Sequence, residues 1–498
     1  MLLDLNKDET PDKISCDVCI AGAGAAGITI ARELAGENLD VVLLESGGFE
    51  RNSKTEALNH GRASGNLMDE NYSTLSRLRY FGGTTNHWNG WCRPLDKIDF
   101  QKRDWVPDSG WPISKELLEP YYRLAESVVE INSFDEIDKK QYIKNASGED
   151  GVVPAPYFQF SPPTRFGVKY REELINSDNI KVLINANLTN IRLSENKKSV
   201  SQVFIQSLNS RQCNISPRCF ILACGALENP RILLNCRDDI QYGLGNQNGV
   251  VGKYFMEHPH DGQPGMIIGL DDFKPDSGSF LNHFQQSEIN GVRVAAALTL
   301  PEKIQQEKKL LNISFQNRNE RMLEQGNDDF FYSSVAKLSG LSQQNIDKSK
   351  PYVSHLYIRG EQIPHESNRV SLAEDKDALG LQRIKVRYNI STKVVENYRK
   401  SLSELSKLLG INYNTRMTIE LDDRRDLTLF YHPMGTTRMH EKSEKGVVDK
   451  DCKVHGVSNL YVAGSSVFPS SGYANPTLTI VALAIRLAEH LKNRTQHG

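Results

Sequence analysis

The chain has 498 residues, with 60 basic and 62 acidic side chains and a formal charge of −2 at pH 7. That balance carries no electrostatic footprint for nucleic acid, and the length implies more than one structural unit, or two that interleave. The longest apolar runs, such as "LTIVALAI" from Leu478 to Ile485, are far too short to span a bilayer. The opening "MLLDLNKDET" is acidic and has no basic region before an apolar block, so a secretory signal peptide is not expected. Of the eight cysteines, Cys16 and Cys19 have a metal or redox spacing, but they lie in an alternating apolar run where strand packing is expected. The expected compartment is a reducing cytoplasm.

In chain order, residues 14–21 ("ISCDVCIA") read as a buried strand, followed at once by "GAGAAG", a helical pattern to about Leu34, and a second strand ending at Glu45. Strand, glycine turn, helix and strand make a βαβ unit of the dinucleotide-binding type. Gly22 permits the tight turn, Gly24 lets backbone meet a pyrophosphate, and Gly27 lets the helix pack on the strand. Glu45 stands where an acid would accept hydrogen bonds from a ribose hydroxyl, which argues against a 2′-phosphate but does not choose between NAD and FAD.

Next comes "YFGGTTNHWNGW", residues 80–91, where two adjacent glycines allow a close backbone approach around His87. Further on, "EELINSDNIKVLINANLTNIRL" reads as a helix end and a strand, and "PRCFILACGALENPRILLN" as a strand, a glycine and a helix start. From about 251 to 410, short strand-like runs alternate with polar loops, which implies an antiparallel sheet inserted between nucleotide-binding segments. "PEKIQQEKK" and residues 315–328 read as solvated loops. Near the C-terminus, "NLYVAGSS" reads as a strand, then a loop carries Asn475-Pro476, then an apolar helix starts near Thr477. Its N-terminus would face an electron-rich group.

Taken together, "GAGAAG…LLESGG", "FGGTTNHW", "ACGALENPRILL", "VGKYFMEHP" and "HPMGTTRM…NLYVAGSSVFP…NPTLT" resemble the glucose–methanol–choline (GMC) oxidoreductases, in family order from about residue 15 to 490. "GWPISKELLEPYYRLAE" and "EQIPHESNRVSLAEDKDALG" resemble the branch of pyranose 2-oxidase-like proteins and the flavoprotein subunits of sugar dehydrogenases. The resemblance implies an α/β fold: a Rossmann-type FAD-binding domain with an inserted antiparallel-sheet substrate domain. It assigns residues 1–100, 165–250 and 415–498 to the first and 101–164 and 251–414 to the second.

The resemblance also implies the chemistry: oxidation of an alcohol to a carbonyl, with sugars and polyols as substrates and oxygen or another acceptor taking the electrons. His432 would be the base, and a histidine with an ordinary pKa near 6.5 suits that work. Asn475 would hydrogen-bond the substrate oxygen. Gly82 and Gly83 would bring backbone against FAD, with Thr84 and Thr85 as donors. Further cofactor contacts fall on Leu188, Cys224, Gly225, Gly464, Ser465, Pro476 and Thr477. His87, in its T-x-H-W context, matches a position that some members join covalently to the flavin; a non-covalent contact with the flavin edge is the alternative.

His258 reads as structural, and His440 and His455 as packing residues in loops, while His60, His283, His490 and His497 carry no local signal. Some relatives hold an iron–sulfur cluster on close cysteines, but Cys213, Cys219 and Cys224 straddle Pro217 and do not converge on one loop, so no metal is expected. The absence of a twin-arginine leader departs from the secreted dehydrogenase subunits. A sterol or other hydrophobic alcohol as substrate, and a flavoprotein subunit dependent on a partner, are the rival readings.

Overall fold

The computed structural model describes residues 1–7, 10–135, 156–261, 265–269, 287–289, 291–318, 352–413, 415–417, 419, 421 and 427–496. His283, His497 and the polar run 319–328 lie outside them.

Strand Lys13–Ala21 alternates exposure at its start and ends in four buried residues, as a strand entering the middle of a sheet must. Around it forms an eight-stranded sheet in the order Leu2–Asp4, Ile180–Ile184, Val41–Leu44, Lys13–Ala21, Gln212–Leu222, Val200–Gln206 and Asn187–Leu193, with Leu460–Val462 also paired to Gln212–Leu222. The pairs among the first five strands, and that with Leu460–Val462, are parallel, while Val200–Gln206 joins antiparallel. Helix Ala25–Glu33 and the final helix Thr477–Gln496 pack on each other, and Lys115–Val128 packs on the final helix. Cys16 and Cys19 are buried, unpaired thiols in strand Lys13–Ala21, as its alternating pattern implies.

The predicted single strand after residue 175 is two, Ile180–Ile184 and Asn187–Leu193. Asn185 between them takes a left-handed conformation (φ 56°), which asparagine tolerates better than most residues and which breaks the extended run.

A second sheet of seven antiparallel strands has Tyr352–Gly360 at its centre, paired with Ile313–Arg318, Pro259–Asp261 and Met266–Gly269. The strand-like runs of the middle region are real, but not all join it. Arg369–Lys376 and Gln382–Tyr388 form a hairpin that takes Arg62–Gly65 as a parallel partner in a separate three-stranded sheet. "PEKIQQEKK" is not a loop: Glu302–Lys308 is helical. Its residues are good helix formers, with an acid in the first turn and Pro301 before it, so helix propensity outweighs the lack of apolar periodicity. Ile313–Arg318 is likewise a strand, with Phe315 buried.

Candidate active site

Two glycine turns meet at the carboxyl end of the central sheet. Gly22 (φ 103°) closes the first turn, and a Cβ on Gly27 would lie 1.8 Å from the Gly22 carbonyl oxygen. Both glycines are therefore demanded by the protein's own packing. Gly24 is different. Its φ of −90° is open to any residue, and a Cβ there would meet no protein atom within 4 Å. It caps helix Ala25–Glu33 with no side-chain hydrogen bond, so the first-turn amides are free for an anion.

The second glycine pair docks on this turn. The Gly82 amide donates to the Ala23 carbonyl (2.8 Å), and a Cβ on Gly83 would come within 3.2 Å of the Gly24 Cα. Adjacent glycines at 82 and 83 thus let one backbone turn lie on another.

The two turns open into a cavity of about 1000 Å³. Gly22, Gly24, Glu45, Gly83, Thr84 and Thr85 line one part of it, and Leu188, Cys224, Gly225, Gly464 and Ser465 another. Asn475, Pro476 and Thr477 bring the start of the final helix to its wall. Gly27 and Gly82 stand behind the lining and shape it. Glu45 is buried, and its carboxylate accepts from the amides of Ala23 and Gly47 (3.0 Å each), so it also braces the glycine turn. Burial raises its pKa while those amides pull the other way. The Thr85 hydroxyl donates to the Gly82 carbonyl (2.6 Å) and so is spent on the turn.

His87 lines the same cavity as an exposed residue, and its ring nitrogens carry no hydrogen bond among the described residues. Burial, then the charge of Arg165, lowers its pKa and keeps the ring neutral. Trp88 beside it is pinned by its indole N–H to the Thr164 carbonyl (2.9 Å).

At the far end stands an imidazole chain. His258 Nε2 is 3.2 Å from the Ser471 carbonyl oxygen, which can only accept, so Nε2 carries the proton. Burial, then Arg359, lowers the pKa of His258 to about 3, so its ring is neutral and Nδ1 holds a lone pair. That lone pair lies 3.0 Å from His432 Nδ1, which must therefore be the donor. His432 is neutral as well, since burial, then His258 and Arg359, hold its pKa well below 6.5 rather than near it. Its remaining lone pair is on Nε2, where the Asn475 amide nitrogen sits at 3.2 Å. Arg359 Nη1 donates to the Asn475 Oδ1 and so fixes which way that amide points. Every proton in this chain is assigned by its neighbour.

Glu257 braces the chain from behind. Its Oε2 accepts from the His432 amide (2.8 Å) and the His258 amide (3.2 Å), and Tyr72 donates to its other oxygen. His260 bonds Tyr357 through Nδ1 (2.9 Å) and stacks on Phe430 at 3.9 Å between ring centres. From sequence, His258 reads as structural and Arg359, Tyr357 and His260 go unremarked. The alternation in "EHPH" places two histidines two positions apart on one strand edge, and that pattern was the available signal. His455 Nε2 bonds the His440 carbonyl at 2.9 Å.

These surfaces fit FAD. The uncapped helix start at Gly24 suits the pyrophosphate, and the cavity between that turn and His432 suits the rest. Residues 17–255 match the family described as FAD dependent oxidoreductase, and residues 364–484 match the one described as GMC oxidoreductase. The fructose dehydrogenase large subunit of Gluconobacter japonicus is 23% identical, over 98% of this chain and 99% of that protein. The 6'''-hydroxyparomomycin C oxidase of Streptomyces lividus is also 23% identical, over 97% and 93%. Among solved structures, a formate oxidase crystal structure superposes with a TM-score of 0.59 at 16% identity, covering 98% of this chain and all of that one. Among the described residues, no helix is long and apolar enough to cross a membrane.

Proposed function

The chain belongs to the GMC oxidoreductases, enzymes that use FAD to oxidise alcohols, and we propose that it oxidises a hydroxyl of a sugar or related polyol to a carbonyl, with His432 as the base. The observation that carries this reading is the lone pair on His432 Nε2 at the cavity wall, which only the Asn475 amide meets among the described residues (3.2 Å).

Bound FAD supplies the hydride acceptor. The chain's own residues handle the proton. A substrate hydroxyl entering between His432 and Asn475 would donate to Nε2 and accept from the Asn475 amide, so the developing alkoxide is stabilised as its proton leaves. Because the pKa of His432 is depressed, the ring is ready to accept across the neutral range, and the His258 bond keeps Nδ1 protonated meanwhile. Gly22, Gly24, Gly83, Thr84 and the start of helix Thr477–Gln496 would hold the cofactor.

We read residues 1–100, 165–250 and 415–498 as the cofactor side and 101–164 and 251–414 as the substrate side. His87, unbonded and neutral, is the residue we assign to a covalent flavin link; acid-precipitated protein should then stay yellow, and a colourless pellet would remove the link. The eight unpaired cysteines suit a reducing cytoplasm.

The test is anaerobic bleaching of the purified flavoprotein by sugars, glycosides, polyols and sterols. Bleaching by a sugar or polyol supports the reading, and bleaching by sterols alone overturns it.

A further inference from the structure

Arg359 sits in the cavity wall on strand Tyr352–Gly360, only 5% exposed. Two other buried arginines face carboxylates, Arg103 bonding Glu361 (2.7 Å) and Arg231 bonding Glu228 (2.7 Å) and Asp377, while a third, Arg438, donates to the Asp108 carbonyl and lies outside the cavity lining. Arg359 faces none among the described residues. Its partners are the Asn475 amide oxygen and two ring faces, Trp91 at 5.0 Å and Phe158 at 5.4 Å from the guanidinium carbon. Its buried Nε has no acceptor among the described residues, as is true of the Nε of Arg103 and Arg438.

A buried guanidinium with no counter-ion is costly, and ring faces and one amide offset only part of that cost. The charge also lowers the pKa of His258, His260 and His432, so it works against any cation on that histidine cluster. What it favours is an anion entering the cavity. A guanidinium fork matches a carboxylate in both shape and charge.

We propose that Arg359 anchors a carboxylate on the substrate, so that among sugars and related polyols the enzyme prefers those that carry a carboxylate, the sugar acids. Arg359 and His432 contact the two ends of one amide, that of Asn475. The anchor and the base are therefore neighbours, which places the reacting hydroxyl close to the carboxylate along the substrate. This rests on the reading of His432 as the base.

The test uses the flavin-loaded enzyme. Acetate, which has no hydroxyl to oxidise, is titrated against its neutral isostere acetamide by calorimetry and by the flavin spectrum. Acetate should bind at least about tenfold more tightly, with a dissociation constant in the millimolar range or below, and Arg359→Gln should abolish that preference. Gluconate should reduce the flavin at least about tenfold faster than glucitol at equal concentration, a difference of about one decade in kcat/KM.

Equal binding of acetate and acetamide by the unaltered enzyme would overturn the proposal without reference to any variant, as would equal reduction by gluconate and glucitol. The two readings fail separately. If neutral polyols bleach the flavin and acetate does not bind, the anchor falls and the base stands. If His432→Ala binds acetate and is still reduced by gluconate at the full rate, the base falls and the anchor stands.

Discussion

The two sides of the cavity are built by different means. The cofactor side is made of backbone: two glycine turns and two helix starts, each encoded within a few residues. The substrate side is made of side chains delivered from distant strands. His258 and His432 meet across 174 positions, and Arg359 and Asn475 across 116. The packed glycines of the backbone site, Gly22 and Gly27, tolerate no added atom, whereas a side-chain site depends on which neighbour holds which proton. Substitutions on the first side should therefore fail by folding, and on the second by chemistry.

Gly27→Val should show the largest effect. Its Cβ would fall 1.8 Å from the Gly22 carbonyl, inside a dense strand–helix contact, so no soluble yellow protein is expected. Recovery of a flavin-loaded variant would break the contrast outright.

On the other side, His258→Ala should fold and keep its flavin, since it touches no glycine turn, yet lose reduction rate on the order of a hundredfold, because His432 is then free to protonate at Nε2. A rate within twofold of the unaltered enzyme would make His258 mere packing. A pH profile shifted relative to the parent would support the positioning role, which simple loss of packing does not explain.

That distinction also marks how far the molecule can be read from its sequence. The βαβ unit, the glycine pair at 82 and 83 and the start of the final helix were legible because each is local and each residue type has one geometric purpose. His432 and Asn475 were reachable only through resemblance. The bond from His258 to His432 has no mark in the sequence because its partner lies far along the chain, and Arg359 carries no local mark at all in "YIRGEQ". The helix at Glu302–Lys308 was missed for another reason: its apolar spacing is absent, and only propensity speaks for it.

A smaller effect sharpens the picture behind the imidazoles. Burial pushes the carboxyl of Glu257 up to about 7 from an ordinary 4.5. The folded chain therefore holds this proton more tightly than the unfolded chain. Its contribution is full below pH 4.5 and is lost as pH rises through 7, about 3 kcal/mol in all. Glu257→Gln cannot lose that proton, so its Tm should fall less than that of the parent between pH 5 and pH 8. Parallel Tm curves would show that Glu257 titrates no differently in the folded chain.

The central claim is that His432 Nε2 takes the hydroxyl proton. Stopped-flow anaerobic reduction of His432→Ala, with its flavin content matched to the parent, tests it most directly. The account predicts an unchanged oxidised flavin spectrum and a reduction rate lower on the order of a hundredfold or more. Reduction at the parental rate, with flavin bound, would contradict it.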